Sequence, residues 1–270
     1  MATGKNNQTP DNTESCPQQD GFFDDRPPSL VPTEDGSPTL LSVTGETYHS
    51  LSGAVLESQH IYVETGFRFL SDRMRKSGQY PKTIHLLEMG FGTGLNALLT
   101  YRAWMSERKG PAPEILYETF EAFPLHETIW NALHYDSSPD EKEFFVHMHQ
   151  GPWGEPFQAA AGFTLIKRKE DFTAGFLPAN IHLVYYDAFS PAVQPELWTK
   201  EVLGRITPFL ETNAVLVTYS SRGEVKRHLL ELGFTIERLP GPGKKRHILR
   251  AVYRPDTCLM TGVSSASIRK

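Results

Sequence analysis

Apolar and polar positions along the chain fall into three regimes. Residues 1–38 are rich in Pro, Asp, Asn, Gln and Ser and carry no apolar periodicity, which predicts a largely disordered lead-in. Residues 39–80 predict a small hairpin and helical extension. In it, "TLLSVTGETYHS" reads as two short strands around a Thr-Gly turn, and "SGAVLESQHIYVETGFRFLSDRM" mainly as helix. From Tyr80-Pro81 onward, strand and helix patterns alternate through residues 81–255. "TIHLLEM" is a continuous apolar strand, and Asn96 to Ser106 is a helix. "EILYETFEA", "FTLIKRKEDF", "IHLVYYDAF" and "NAVLVTYS" read as further strands. "PLHETIWNALHY", "QPELWTKEVLGRITPFL" and "SRGEVKRHLLELG" read as helices. Strands separated by helices predict an α/β, doubly wound, mostly parallel sheet. "FTIERL" and "HILRAVYR" have only a glycine-rich loop between them, which predicts an antiparallel pair at its end. Residues 256–270 read as a weakly ordered tail.

Composition narrows the class without changing this picture. At 39% hydrophobic and 22% charged, the 270 residues suit a soluble globular protein with a sizeable core. No apolar run approaches the ~18 residues of a membrane span, and no secretory leader is visible, so a cytoplasmic protein without membrane contact is expected. Cys16 and Cys258 stand in the two tails without metal-type spacing, so neither a disulfide framework nor a metal site is expected. The net charge of −5 argues against non-specific coating of nucleic acid. The charge is uneven, however: Arg222 to Arg254 holds nine Arg/Lys and three Glu, a local balance of +6.

The strongest local chemistry lies in "EMGFGTGLN", Glu88 to Asn96. The spacing G-x-G-x-G departs from the dinucleotide pattern G-x-G-x-x-G, and no Gly-Lys-Ser/Thr of a P-loop follows. Gly90, Gly92 and Gly94 let backbone approach a ligand closely, and Glu88 suits a cationic ligand group. That combination resembles motif I of class I S-adenosylmethionine (SAM) methyltransferases. A glycine turn with no ligand is the plainer alternative. Glu121, closing the second strand, is placed to take a ribose diol or to be a solvated strand-end carboxylate. Asp171 and Phe172 follow the third strand and are candidates for the adenine, with Glu170 competing. Asp187 ends the fourth strand, where open parallel sheets border their ligand crevice. Lys244, Lys245, Arg246 and Arg250, with Arg222, Lys226 and Arg227 on the preceding helix, form either a phosphate-tracking face or a solvated charged face. His49 and His60 read as packing or hydrogen-bonding residues.

Longer strings carry a more specific resemblance. "EMGFGTGLN", "EAFPL", "DAFSPAVQPELW" and "GFTIERLPGPGKKRHILRA", with the upstream "DGSPTL", "YHS" and "GAVLES", resemble the methyltransferase family that completes 5-methylaminomethyl-2-thiouridine at the tRNA wobble position. The resemblance runs from about Asp35 to Tyr253 and is to the form without a fused flavin-dependent oxidase. It implies a class I SAM-dependent fold: a Rossmann-like seven-stranded sheet with one antiparallel strand, plus the N-terminal extension. It implies SAM as cofactor, held by Glu88, Gly90, Phe91, Gly92, Gly94, Asn96, Glu121, Asp171 and Phe172 and covered by Tyr48, Ser50 and Glu57. Asp187 would meet the amine to be methylated, and Phe189, Lys244, Lys245 and Arg246 would contact the RNA. Phe91, Phe189 and Tyr219 are candidate walls for a flipped wobble base. The partners implied are the tRNA anticodon stem-loop and separate enzymes that install the 5-aminomethyl or 5-carboxymethylaminomethyl group. The chain itself is expected to act on an already formed 5-aminomethyl uridine.

The implied reaction needs an unprotonated amine in line with the sulfonium methyl. An ordinary Asp, with pKa ~3.9, is a weak base, which favours positioning over proton abstraction for Asp187. Three alternatives stand beside this reading. They are a SAM-dependent small-molecule N-methyltransferase, a non-catalytic methyltransferase-like RNA-binding module and, against the glycine spacing, an NAD-dependent dehydrogenase.

Overall fold

The computed structural model describes residues 1, 27–108 and 112–255. An antiparallel ribbon of β1 (Ser29–Pro32) and β2 (Pro38–Leu41) opens it. Next comes an unbroken helical run: α1 (Ala54–Ser58), a π-helix (Gln59–Arg68) and α2 (Phe69–Ser77). Gly78 ends it in the left-handed conformation common just past helix C-termini. The core alternates β3 (Thr83–Met89), α3 (Leu95–Glu107), β4 (Glu114–Phe120), α4 (Glu127–Trp130), α5 (Pro139–Gln150), β5 (Pro156–Ala160) and β6 (Phe163–Arg168). It continues through β7 (Ile181–Tyr186), α6 (Lys200–Gly204), β8 (Leu210–Thr218), α7 (Gly223–Glu231), β9 (Phe234–Pro240) and β10 (His247–Tyr253).

The main sheet has eight strands in the order β5-β6-β4-β3-β7-β8-β10-β9. Strands β6, β4, β3, β7 and β8 are parallel, and β10 is antiparallel to both neighbours. The expected seven-stranded sheet with one reversed strand is therefore present, and β5 adds an eighth, antiparallel to β6. Strand order reverses between β3 and β7, the switch point beside which open α/β sheets bind ligands.

Alternation along each strand builds two cores. Ile84, Leu86, Tyr117, Tyr185 and Val217 face the π-helix, α3 and α5, where Tyr101 and Phe144 stack 3.9 Å apart. Leu87, Met89, Phe120, Val184, Tyr186 and Leu216 face α6 and α7. Full burial of one such side chain stabilises by ~1.5–3 kcal/mol, so a large-to-small change in either layer is costly.

Several boundaries differ from expectation. The lead-in expected over residues 1–38 is shorter, because Ser29–Pro32 pairs with Pro38–Leu41. Its residues 2–26 and the expected tail 256–270 lie outside the described residues. Strand β2 thus takes its partner from upstream, and the second strand expected in "TLLSVTGETYHS" reduces to a Leu41–Thr47 bridge. The helix expected in "PLHETIWNALHY" is one turn, Glu127–Trp130. The longer helix α5 follows it, with Ser138 accepting from the Glu141 N–H and Pro139 in its first turn. "QPELWTKEVLGRITPFL" is broken where Thr199 turns extended and caps α6 by accepting from the Val202 N–H. Residues 169–180, between β6 and β7, contain no helix.

Candidate active site

A cavity of about 730 Å³ opens over the carboxyl ends of β3, β4, β6 and β7, within the size range of small-ligand sites. Its floor is the turn after β3. Gly90 and Gly92 have φ of +89° and +49°, a region side-chain-bearing residues rarely enter. A Cβ on Gly90 would stand 3.1 Å from the Asp187 carbonyl oxygen, and one on Gly92 3.2 Å from the Tyr48 ring. Both positions therefore require glycine for the floor to form.

Asp187 stands in the wall one residue past β7, and both of its oxygens are held. Asn96, in the first turn of α3, donates from Nδ2 to Oδ2 at 2.7 Å, and the Tyr62 hydroxyl donates to Oδ1. Burial pushes the carboxyl up to about 7, against the pull of those two donors. Glu88 sits behind the floor rather than on the cavity wall, 1% exposed beside Asn96, Thr119 and Tyr117. Burial pushes it up to about 8, so it is mostly uncharged at neutral pH.

The structure brings together most of the residues singled out in the sequence. Gly90, Phe91, Gly92, Asn96, Glu121, Asp171, Phe172, Tyr48, Ser50, Glu57, Asp187, Phe189 and Lys245 all line the cavity. Glu121 accepts the Gly92 N–H and the Phe123 N–H, each at 2.9 Å, so it ties the glycine turn to the loop after β4. Asp171 is at the exposed rim, accepting from both the N–H and hydroxyl of Thr173 at 2.7 Å. Phe172 is buried, edge-on to Phe120. Phe189 packs edge-on to Tyr48 with centroids 5.2 Å apart. Gly94 points away from the cavity, towards Met148 and His149 of α5. His49 bonds Thr93, and His60 bonds the Pro240 carbonyl.

The basic residues separate. Lys245 joins the wall: its Nζ is 2.7 Å from Glu57 Oε1 and 4.4 Å from the Tyr219 ring centroid. Glu57 also accepts the Ser50 N–H at 2.6 Å, so this carboxylate clasps the β9–β10 loop to the N-terminal extension. Lys244 is exposed and pairs with Glu34, and Arg246 is exposed. Arg250 leaves the expected basic face, since it pairs with Glu237 and lies over Phe69.

Two residues with a hand in the site were not foreseen. Tyr62 comes from the π-helix, and no local pattern links it to a residue 125 positions later. Glu46 lines the cavity and its carboxylate accepts the Ser190 N–H, holding the loop after Asp187. Its only sequence signal is its place two residues before "YHS".

Among the described residues, Glu46, Glu57, Glu121, Glu170, Asp171, Asp187 and Glu196 line the cavity, with Lys245 the one lysine and no arginine. Such a lining disfavours a pyrophosphate and suits a ligand carrying positive charge. The switch-point cavity, the glycine floor and this acidic lining define a class I SAM-dependent methyltransferase. In agreement, a family model described as S-adenosyl-L-methionine-dependent methyltransferase matches residues 160–254. The chain is similar to the tRNA 5-methylaminomethyl-2-thiouridine biosynthesis bifunctional protein MnmC. It is 30% identical to the one from Pseudomonas paraeruginosa over 82% of this chain and 34% of the relative. It is 29% identical to the one from Azoarcus sp. over 84% and 36%. The chain thus spans about a third of the length of the curated relatives it matches. A solved structure of MnmC2 from Aquifex aeolicus superposes with TM-score 0.67 at 26% identity, over 85% of this chain and 71% of that one.

Proposed function

We propose that this chain methylates the primary amine of 5-aminomethyl(-2-thio)uridine at the tRNA wobble position, using SAM. The observation that carries the reading is Asp187: a carboxylate held from both sides, facing the cavity one residue past β7, above a glycine floor. The homology to proteins named for wobble-uridine biosynthesis supports the substrate.

Bound SAM supplies an electrophilic methyl on a sulfonium. Gly90, Phe91, Gly92 and Asn96 would hold its amino-acid portion, Glu121 the ribose, and Asp171 with Phe172 the adenine side. Glu88, behind the floor, would act through Asn96. Tyr48, Ser50 and Glu57, which line the cavity from the extension, would cover the cofactor. Asp187 would accept an N–H of the substrate amine and so orient its nitrogen lone pair. Its pKa of about 7 also makes it a competent proton acceptor near neutral pH, which the ordinary value of an aspartate would not allow. As the N–C bond formed, the S–CH3 bond would break and leave S-adenosylhomocysteine; the proton shed by the nitrogen would pass to Asp187, giving a secondary amine. The exposed Lys244 and Arg246 and the wall residue Phe189 would meet the RNA.

A tRNA substrate places the work in the cytoplasm, and separate enzymes would supply the 5-aminomethyl group. No helix among the described residues is long and apolar enough to cross a membrane. Residues 39–80 act as a cover on a methyltransferase domain spanning 81–255. Mass spectrometry of tRNA nucleosides from cells lacking the protein tests the proposal. Accumulation of 5-aminomethyl nucleoside is the expected result, and an unchanged profile contradicts it.

A further inference from the structure

The π-helix is the least expected element of the fold. A ten-residue run, Gln59–Arg68, interrupts what would otherwise be one α-helix. π-helical turns are rare and cluster at functional sites, because they re-aim side chains an α-helix would place elsewhere. This one is pressed close against the sheet: a Cβ on Gly66 would lie 3.0 Å from Val217 Cγ2 and 3.1 Å from Tyr185 Cε1. One turn earlier, Tyr62 is 1% exposed, its ring 5.2 Å from that of Tyr185. Its hydroxyl reaches Oδ1 of Asp187.

We propose that Tyr62, delivered by the π-helix, is a positioning residue for methyl transfer that fixes the Asp187 carboxylate opposite Asn96. The inference rests on the wobble-amine reading above and adds a residue that it does not need. With one oxygen held by Tyr62 and the other by Asn96, the carboxylate plane is fixed from both sides. Each oxygen keeps a further acceptor site for an amine N–H. Burial, then the charge of Asp187, hold the Tyr62 phenol well above its usual range, so it remains a donor and takes no proton itself. The other charged or titratable groups facing Asp187 are Glu57 of α1, Lys245 of the β9–β10 loop, Glu88 of β3, Tyr117 of β4 and Tyr219 after β8. A buried tyrosine needs some hydrogen-bond partner in any fold, so burial alone does not separate positioning from packing. The pH dependence of the rate does. Donation from Tyr62 favours the charged carboxylate, so its loss moves the acid limb of the rate to higher pH.

The test compares wild type, Tyr62→Phe and a chain carrying 3-fluorotyrosine at position 62, all acting on tRNA that bears 5-aminomethyl uridine. Phe keeps the ring against Tyr185 and removes only the donor. Fluorination keeps the donor and makes it more acidic. For Tyr62→Phe, kcat is expected to fall ~10- to 100-fold, the scale of one hydrogen bond to a charged group, with SAM affinity held within ~threefold. Its acid limb should move up by roughly one pH unit, and that of the fluorinated chain should move down. Acid limbs that coincide with wild type in both chains overturn the inference while leaving the function intact. A wild-type chain that methylates none of this tRNA overturns both.

Discussion

Asp187 and Asp171 both follow strands that end at the same cavity, and their surroundings differ completely. Asp187 is walled in, with Tyr62 and Asn96 from two different helical elements holding one oxygen each. Asp171 is exposed at the rim and spends its hydrogen bonds on Thr173, two residues away in its own turn. The first arrangement requires the whole fold to be assembled. The second needs only a local turn. Chemistry that depends on a displaced pKa and a fixed lone pair belongs with the first, and adaptable ligand contact with the second. The lysines divide the same way: Lys245 is built into the wall by Glu57, and Lys244 stands at the surface.

The contrast is sharpest under substitution. Asp187→Asn should lower kcat by ~10²–10⁴-fold, the usual scale for a proton-transfer residue, with SAM affinity little changed by calorimetry. A loss of SAM binding in step with kcat would make Asp187 a cofactor ligand instead. Next in size is pH. The working form of Asp187 is the carboxylate, and burial has raised its pKa to about 7. With SAM saturating, the rate should therefore fall at least about tenfold per pH unit below that point, and protonation of the substrate amine adds to the fall. A profile flat from pH 5 to about pH 8 would mean that the proton goes elsewhere.

Smaller effects are expected at the surface. Lys244→Ala and Arg246→Ala should each weaken tRNA binding several-fold and reduce the slope of log affinity against log salt by about one. Lys245→Met should leave that slope alone while lowering kcat, because its partner is Glu57. Equal slopes for all three would return Lys245 to the RNA face. Asp171→Ala should be the mildest, weakening SAM by less than ~threefold with kcat unchanged, since an exposed hydrogen bond is worth little.

How much of this could be read from the chain follows from range. Glu88 to Asn96 announces a strand, a glycine turn and a helix within nine residues, and "IHLVYYDAF" places Asp187 just past a buried strand. Those signals are local. Helix α5 was legible too, in Ser138-Pro139-Asp140-Glu141, yet the stronger apolar pattern of "PLHETIWNALHY" draws attention to a segment that forms only one turn. The π-helix has no signature, because apolar spacing in "SQHIYVETGF" fits an ordinary helix equally well. Nor could spacing show that Glu88 withdraws behind the floor, or that Lys245 turns inward to Glu57 across 188 positions. Both depend on which strands and loops become neighbours.

The central claim is that the Asp187 cavity methylates a tRNA-borne primary amine. It is tested most directly by incubating the purified chain with SAM and tRNA carrying 5-aminomethyl uridine, then digesting the RNA and weighing the wobble nucleoside. The account predicts a gain of a single methyl group on the side-chain nitrogen, absent with Asp187→Asn. An unmodified nucleoside, from a wild-type chain shown to bind SAM, would contradict it.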